Sequence, residues 1–137
     1  MNVSILGQVF TVMSVSLTVS LRAADAETVS LQCSGTFHSY YAQEPVHGAV
    51  ENHAVVVDLS NKQVSGFYPG AYPITRVDED TIVFSMDVRG PGNVTAAALG
   101  NINRITGKTM VLARRPDRPG QMVFMYDVMC TPARRLF

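Results

Sequence analysis

From position 28 to position 130, apolar and polar side chains alternate in short runs separated by turn residues, which is the period of half-buried β-strands. In TVSLQCSGTF, Val29, Leu31, Cys33 and Phe37 share one parity, while Ser30, Gln32, Ser34 and Thr36 share the other. In TIVFSMDV, Ile82, Phe84 and Met86 alternate with Thr81, Ser85 and Asp87; in QMVFMYDVMC, Phe124, Tyr126, Val128 and Cys130 stand opposite in parity to Asp127. HAVVVDLS and QVSGFY flank Asn61-Lys62 as the arms of a hairpin, PITRV and TIVFSMDV flank the acidic turn Asp78-Glu79-Asp80, and VTAAALGNINR and KTMVLARR join through ITG. The segment HSYYAQEPVHGAVEN breaks the alternation and reads as a polar loop. This spacing predicts about eight short strands and no amphipathic helix, with TAAAL offering at most one helical turn. With no repeat and no linker, the pattern predicts a single all-β domain: a small, closed or nearly closed antiparallel β-barrel, or a sandwich.

The first 26 residues follow a different pattern. Val3 to Leu21 carries no charge, and Ala24 and Ala26 sit two apart in RAADAET, as in a signal-peptidase site. A signal peptide over 1–26 and a mature domain over 27–137 are expected, with a retained anchor or an extra strand from SVSLTVSL as the alternatives. Export puts the chain where disulfides persist. Parity turns both cysteines inward, Cys33 on the first mature strand and Cys130 on the last, so a disulfide joining the ends of the domain is predicted. Every second residue back from Phe137 (Arg135, Ala133, Thr131, Met129, Asp127) makes no lipid-facing stripe, and Pro132 interrupts that strand. A periplasmic or secreted domain with no transmembrane span after signal cleavage is therefore expected, its tail packing Leu136 and Phe137 back on the domain.

GNINRITGK followed by YDVMCTPARRLF resembles the C-terminal part of small exported proteins of rhizobia and related alphaproteobacteria, through Gly100, Ile102, Arg104, Thr106 and Gly107, then Tyr126, Cys130, Pro132, Ala133, Arg135, Leu136 and Phe137. The resemblance covers roughly the last 40 residues. It implies export and a disulfide, and it carries no activity with it. Within these residues Gly107 suits a hairpin turn, and Arg104 suits an ion pair with a carboxylate of the acidic half.

Composition alters this picture only through charge. The net charge is zero, which points to no nucleic-acid partner. The charges are nevertheless divided: residues 27–88 hold eight acids against Lys62 and Arg76, and residues 89–137 hold eight bases against Asp117 and Asp127. Either strand pairing mixes the halves and they neutralise one another, or Arg114, Arg115, Arg118, Arg134 and Arg135 cluster at one end of the last hairpin as an anion-binding patch. The planar guanidinium suits an anionic glycan, a lipid headgroup or an acidic protein. Tyr40, Tyr41, Tyr68 and Tyr72 are candidates for stacking on a ligand. His38, His47 and His53, with Glu44 and Glu51 between them, supply metal-ligand types at a spacing that matches no zinc motif. No G-x-S-x-G, P-loop, dinucleotide fingerprint or H-E-x-x-H occurs, so no catalytic residue and no cofactor is indicated. The sequence thus leads to a non-catalytic binding or structural protein of the cell envelope. The alternative is a small envelope hydrolase or metal-dependent protein using the 38–53 segment.

Overall fold

The computed structural model describes residues 27–40, 46–89 and 95–133. The expected signal peptide, Tyr41, Glu44, Arg134, Arg135, Leu136 and Phe137 lie outside the described residues. Eight strands form: β1 (Thr28–Ser39), β2 (Val46–Asp58), β3 (Gln63–Ser65), β4 (Tyr72–Val77), β5 (Thr81–Arg89), β6 (Thr95–Asn103), β7 (Lys108–Arg115) and β8 (Arg118–Pro132). Each pairs antiparallel with its neighbour in sequence, and β1 also pairs with β8, so the meander closes into a barrel rather than a sandwich. The TAAAL run is not a helical turn. It is the interior of β6, where Ala96 and Ala98 point inward and Ala97 and Leu99 point outward.

The closing seam lies between β1 and β8, where Leu31–Ser39 run against Phe124–Pro132. Cys33 and Cys130 are direct partners in that register and are joined by a disulfide, both side chains buried. The staple thus joins the first strand to the last across the last ladder that closes the sheet.

In one half of the barrel the interior is filled by side chains, as an eight-stranded barrel allows. The Phe67 and Phe84 rings stack with centroids 6.1 Å apart. The Tyr72 ring stands edge-on to Phe84 at 5.3 Å, and Tyr126 packs against Phe67 at 5.1 Å. β6 makes this possible by facing the rings with Ala96, Ala98 and Gly100; Gly100 is paired directly with Phe84, and the ring lies over its Cα. The outward positions of β1 are Ser30, Gln32, Ser34, Thr36 and His38, so this wall has the reverse of the alternation in a membrane-spanning barrel. No helix among the described residues is long and apolar enough to cross a membrane.

The segment expected as a polar loop is instead mostly strand. β1 runs on to Ser39 and β2 starts at Val46. The pairing shifts from Cys33–His53 to Gly35–Val50, which places an extra residue on β2 at Glu51–Asn52. Asn52 takes the left-handed conformation (φ 47°), which Asn tolerates well, and its N–H donates to Ser34 Oγ at 3.0 Å. A bulge flips the phase of a strand, so the inward position moves from Val50 before it to Val55 and Val57 after it.

Candidate functional site: the open mouth of the barrel

The two ends of the barrel are built differently. The entry end gathers Glu27, the β2–β3 turn (59–62), the β4–β5 turn (78–80), the β6–β7 turn (104–107) and the last residues of β8. The far end gathers the ends of the β1–β2 hairpin, the loop 66–71 and the Arg115–Arg118 hairpin.

Aromatic side chains plug the far half. The loop 66–71, which contains a cis Tyr68-Pro69 peptide, turns Phe67 into the barrel, and the Tyr68 N–H donates to Tyr126 Oη at 3.1 Å. Tyr72 Oη donates to the Tyr68 carbonyl at 2.5 Å. Burial, reinforced by the neighbouring Tyr126 and Tyr68, holds the Tyr72 phenol far above the usual tyrosine range, and burial also raises Tyr126. Both remain neutral hydrogen-bonding groups of the core. Tyr72 is fully buried and has no ring face free for a ligand, whereas Tyr40 and Tyr68 are 38% and 46% exposed at the far end.

The entry half is lined by aliphatic side chains and is open. Val29 and Leu31 of β1, Val57 and Leu59 at the end of β2, Ile82 of β5 and Ile102 of β6 surround a cavity of about 430 Å³, with Cys130 in its wall. That volume lies within the range of small-molecule sites, and barrel mouths are a favoured place for them. The rim is the β6–β7 turn. Asn103 Oδ1 accepts from the N–H groups of Ile105 (2.9 Å) and Thr106 (3.0 Å), and the Gly107 N–H donates to the Asn103 carbonyl. Gly107 adopts φ +80° against the Cys130 carbonyl, where any Cβ would collide, and its own carbonyl accepts from the Cys130 N–H at 2.9 Å. The turn is thus fixed to the stapled end of β8 and leaves Ile105 78% exposed at the edge of the cavity.

Arg104 stands on the same rim. It is not ion-paired as its position in the sequence suggested: its guanidinium donates to the Asp78 carbonyl at 2.7 Å, while the Asp78 carboxylate pairs with Arg76 at 2.9 Å. No carboxylate among the described residues lies within ion-pair distance of Arg104, and most of its five N–H donors remain for a ligand. The acidic groups of this end include Glu27, separated from the β6–β7 turn by the end of β8, and the β4–β5 turn Asp78-Glu79-Asp80, where the Asp80 carbonyl accepts the Arg104 backbone N–H at 2.8 Å. The mouth can hold an apolar body and meet an anionic head on one side. Sequence reasoning assigned its aliphatic residues to the core, because parity says which side chains point inward but not how far along the barrel they lie.

The other candidate residues divide between the two ends. Arg114, Arg115 and Arg118 come together at the far end, but Arg115 is held by Asp117 through two hydrogen bonds of 3.0 and 2.7 Å. Its guanidinium keeps the Asp117 carboxyl below the usual range. β8 then carries the chain the whole length of the barrel, roughly 45 Å at strand rise, before Ala133 bonds Ser30 at the entry end. Arg134 and Arg135, outside the described residues, follow Ala133. Both ion pairs among the described residues join positions two apart, so the acidic and basic halves do not neutralise each other by direct pairing. A meander explains this: β1–β5 stay beside one another, as do β6–β8, and the halves meet only at two ladders.

The histidines also divide. The His53 ring bonds the Gly66 carbonyl and is structural, whereas His38 and His47 face each other as cross-strand partners on β1 and β2. Exposed Glu51 lies at the bulge, and among the described residues no three His, Cys, Asp or Glu side chains converge as a metal cluster. Compared with known protein families, curated protein sequences and solved structures, the chain matches none.

Proposed function

We propose that this is an exported, non-catalytic binding protein of the cell envelope, periplasmic or secreted, that takes a small amphipathic anion into the mouth of its barrel. The observation that carries the proposal is the contrast between the two ends: the far half is plugged by Phe67, Tyr72, Phe84 and Tyr126, whereas the entry half keeps an aliphatic cavity beside an arginine that has no carboxylate partner among the described residues. The ligand class follows from this lining, an acyl-like body against Val29, Leu31, Val57, Ile82 and Ile102 and a carboxylate or phosphate head at Arg104. Export is supported by the uncharged stretch and small-residue site before Glu27 and by a disulfide of the kind oxidising compartments maintain.

The far-end arginines supply a second reading, since Arg114 and Arg118 have no ion-pair partner among the described residues. An anionic glycan or acidic protein captured there would be lost on replacing both with serine, with the mouth left intact.

A native, non-reducing mass spectrum of the protein recovered from the envelope of its own host tests the main proposal. A mass matching 27–137 less two hydrogens, carrying a small organic adduct, is expected. A full-length mass with free thiols would contradict export.

A further inference from the structure

We propose that His38, His47 and Met125 form a copper(I) site on the outer face of the barrel, separate from the mouth. The three residues belong to three adjacent strands and stand side by side in the register: His38 on β1 pairs directly with His47 on β2 and with Met125 on β8. All three point outward. Phe37, beside His38, faces the core, and Met125 sits between the inward-facing Phe124 and Tyr126. Directly opposed residues on one face hold their Cβ atoms about 4.5 to 5.5 Å apart, so three long side chains in a row can reach a common point.

The imidazoles are already turned towards one another. Their rings meet edge to face with centroids 4.5 Å apart, and the two Nδ1 atoms face each other in contact. No carboxylate or carbonyl among the described residues is bonded to either ring, in contrast to His53, whose Nε2 is committed to the Gly66 carbonyl. The pair shares a hydrogen bond in which the tautomer decides which Nδ1 donates, and a cation in place of that proton would take a lone pair from both rings. The neighbouring thioether decides which cation. Two imidazole nitrogens with one soft sulfur suit copper(I), whereas zinc prefers imidazole with thiolate or carboxylate and hard cations prefer oxygen. The cysteines do not compete for the metal, because both are held in the disulfide. The sequence offered His38 and His47 as metal-ligand types, whereas Met125 joins them only through strand pairing.

The test is a competition titration of the full chain, disulfide intact, with copper(I) kept reduced by ascorbate and offered as its bicinchoninate complex; zinc(II) is titrated in parallel. The wild-type protein should withdraw one equivalent of copper(I), and the ε-methyl resonance of Met125 should move as it does so. The variant His38→Ala/His47→Ala should withdraw none, while Met125→Leu should weaken copper(I) binding by at least about tenfold and leave zinc(II) unchanged. All three positions are on the outer face, and a cooperative thermal transition in each variant verifies that it folds. Failure of the wild type to compete, an unchanged stoichiometry in the double-histidine variant, or indifference of copper(I) to Met125→Leu would each overturn the proposal. Loss of this site would leave binding at the mouth untouched.

Discussion

At Gly100 an added Cβ would overlap the Phe84 ring, and the ring has nowhere to retreat because Phe67 stacks on it and Tyr72 meets its face edge-on. Alanine has the better strand entropy, by about 0.5 to 1 kcal/mol, but overpacking a filled core costs about 1 to 3 kcal/mol, so the clash prevails. Gly100→Ala should lower the urea midpoint without changing the slope of the transition. Asp58 is a polar counterpart at the β2–β3 turn. The Asn61 backbone N–H, the Asn61 side chain and the Ser60 hydroxyl all donate to its carboxylate and lower its pKa from 3.8 to about 2. A depressed carboxyl stabilises the fold above its unfolded pKa and ceases to do so as pH falls through the folded one. The Asp58 contribution is therefore complete above about pH 4 and lost towards pH 2. Carbon-detected titration should place the Asp58 midpoint near 2, and Asp58→Ala should remove that part of the acid dependence of stability. A midpoint near the ordinary value would mean that the turn is not hydrogen-bonded in this way.

At the scale of elements, parity made most strands legible. Ile82, Phe84 and Met86, and likewise Tyr126, Val128 and Cys130, announced both their strand and the face it buries. The alternation was invisible where geometry interrupts it. The bulge at Glu51–Asn52 puts Val50 and Val55 on opposite parities of one strand, so the first half of β2, up to Asn52, read as a loop while HAVVVDLS read as a strand, and the pairing with β1 was missed together with the His38–His47 contact. In β6, Ala96, Ala98 and Gly100 carried a weak β signal because they had been kept small for the rings opposite. The β6–β7 turn was legible as a hairpin but not as the rim of a cavity. Two of its exposed side chains, Ile105 and Arg104, should divide recognition between them. Ile105→Asp should weaken binding of decanoate and decanol alike by about tenfold, as expected for losing an aliphatic contact. Arg104→Gln should weaken decanoate by a similar factor, the value of a charge-assisted hydrogen bond, and leave decanol unchanged. Equal responses to both ligands in both variants would remove Arg104 from head-group recognition.

For the whole molecule, closure is the property from which the rest follows. Two inward cysteines on the terminal strands pointed to the staple, but closure itself depends on β1 finding β8 across 97 residues of chain. In the entropic picture a crosslink of that span stabilises by about 4 to 5 kcal/mol at most. Cys33→Ala/Cys130→Ala should therefore lose up to that amount in denaturant unfolding, and it should also lose affinity at the mouth, since the Gly107 turn is anchored to Cys130. Retained stability with lost affinity would place the role of the staple in shaping the rim rather than in holding the fold. The division of charge, with acids along β1–β5 and bases along β6–β8, is also a property of the whole molecule, because a meander never interleaves its halves. The entry end is proposed as the binding end. This is tested most directly by following backbone amide resonances of the isotope-labelled protein as decanoate is added. Saturable shifts are expected at Leu31, Ile102, Ile105, Gly107 and Thr131, with Tyr40, Tyr68 and Arg118 unmoved. Shifts confined to those far-end residues, or no saturable shift anywhere, would contradict it.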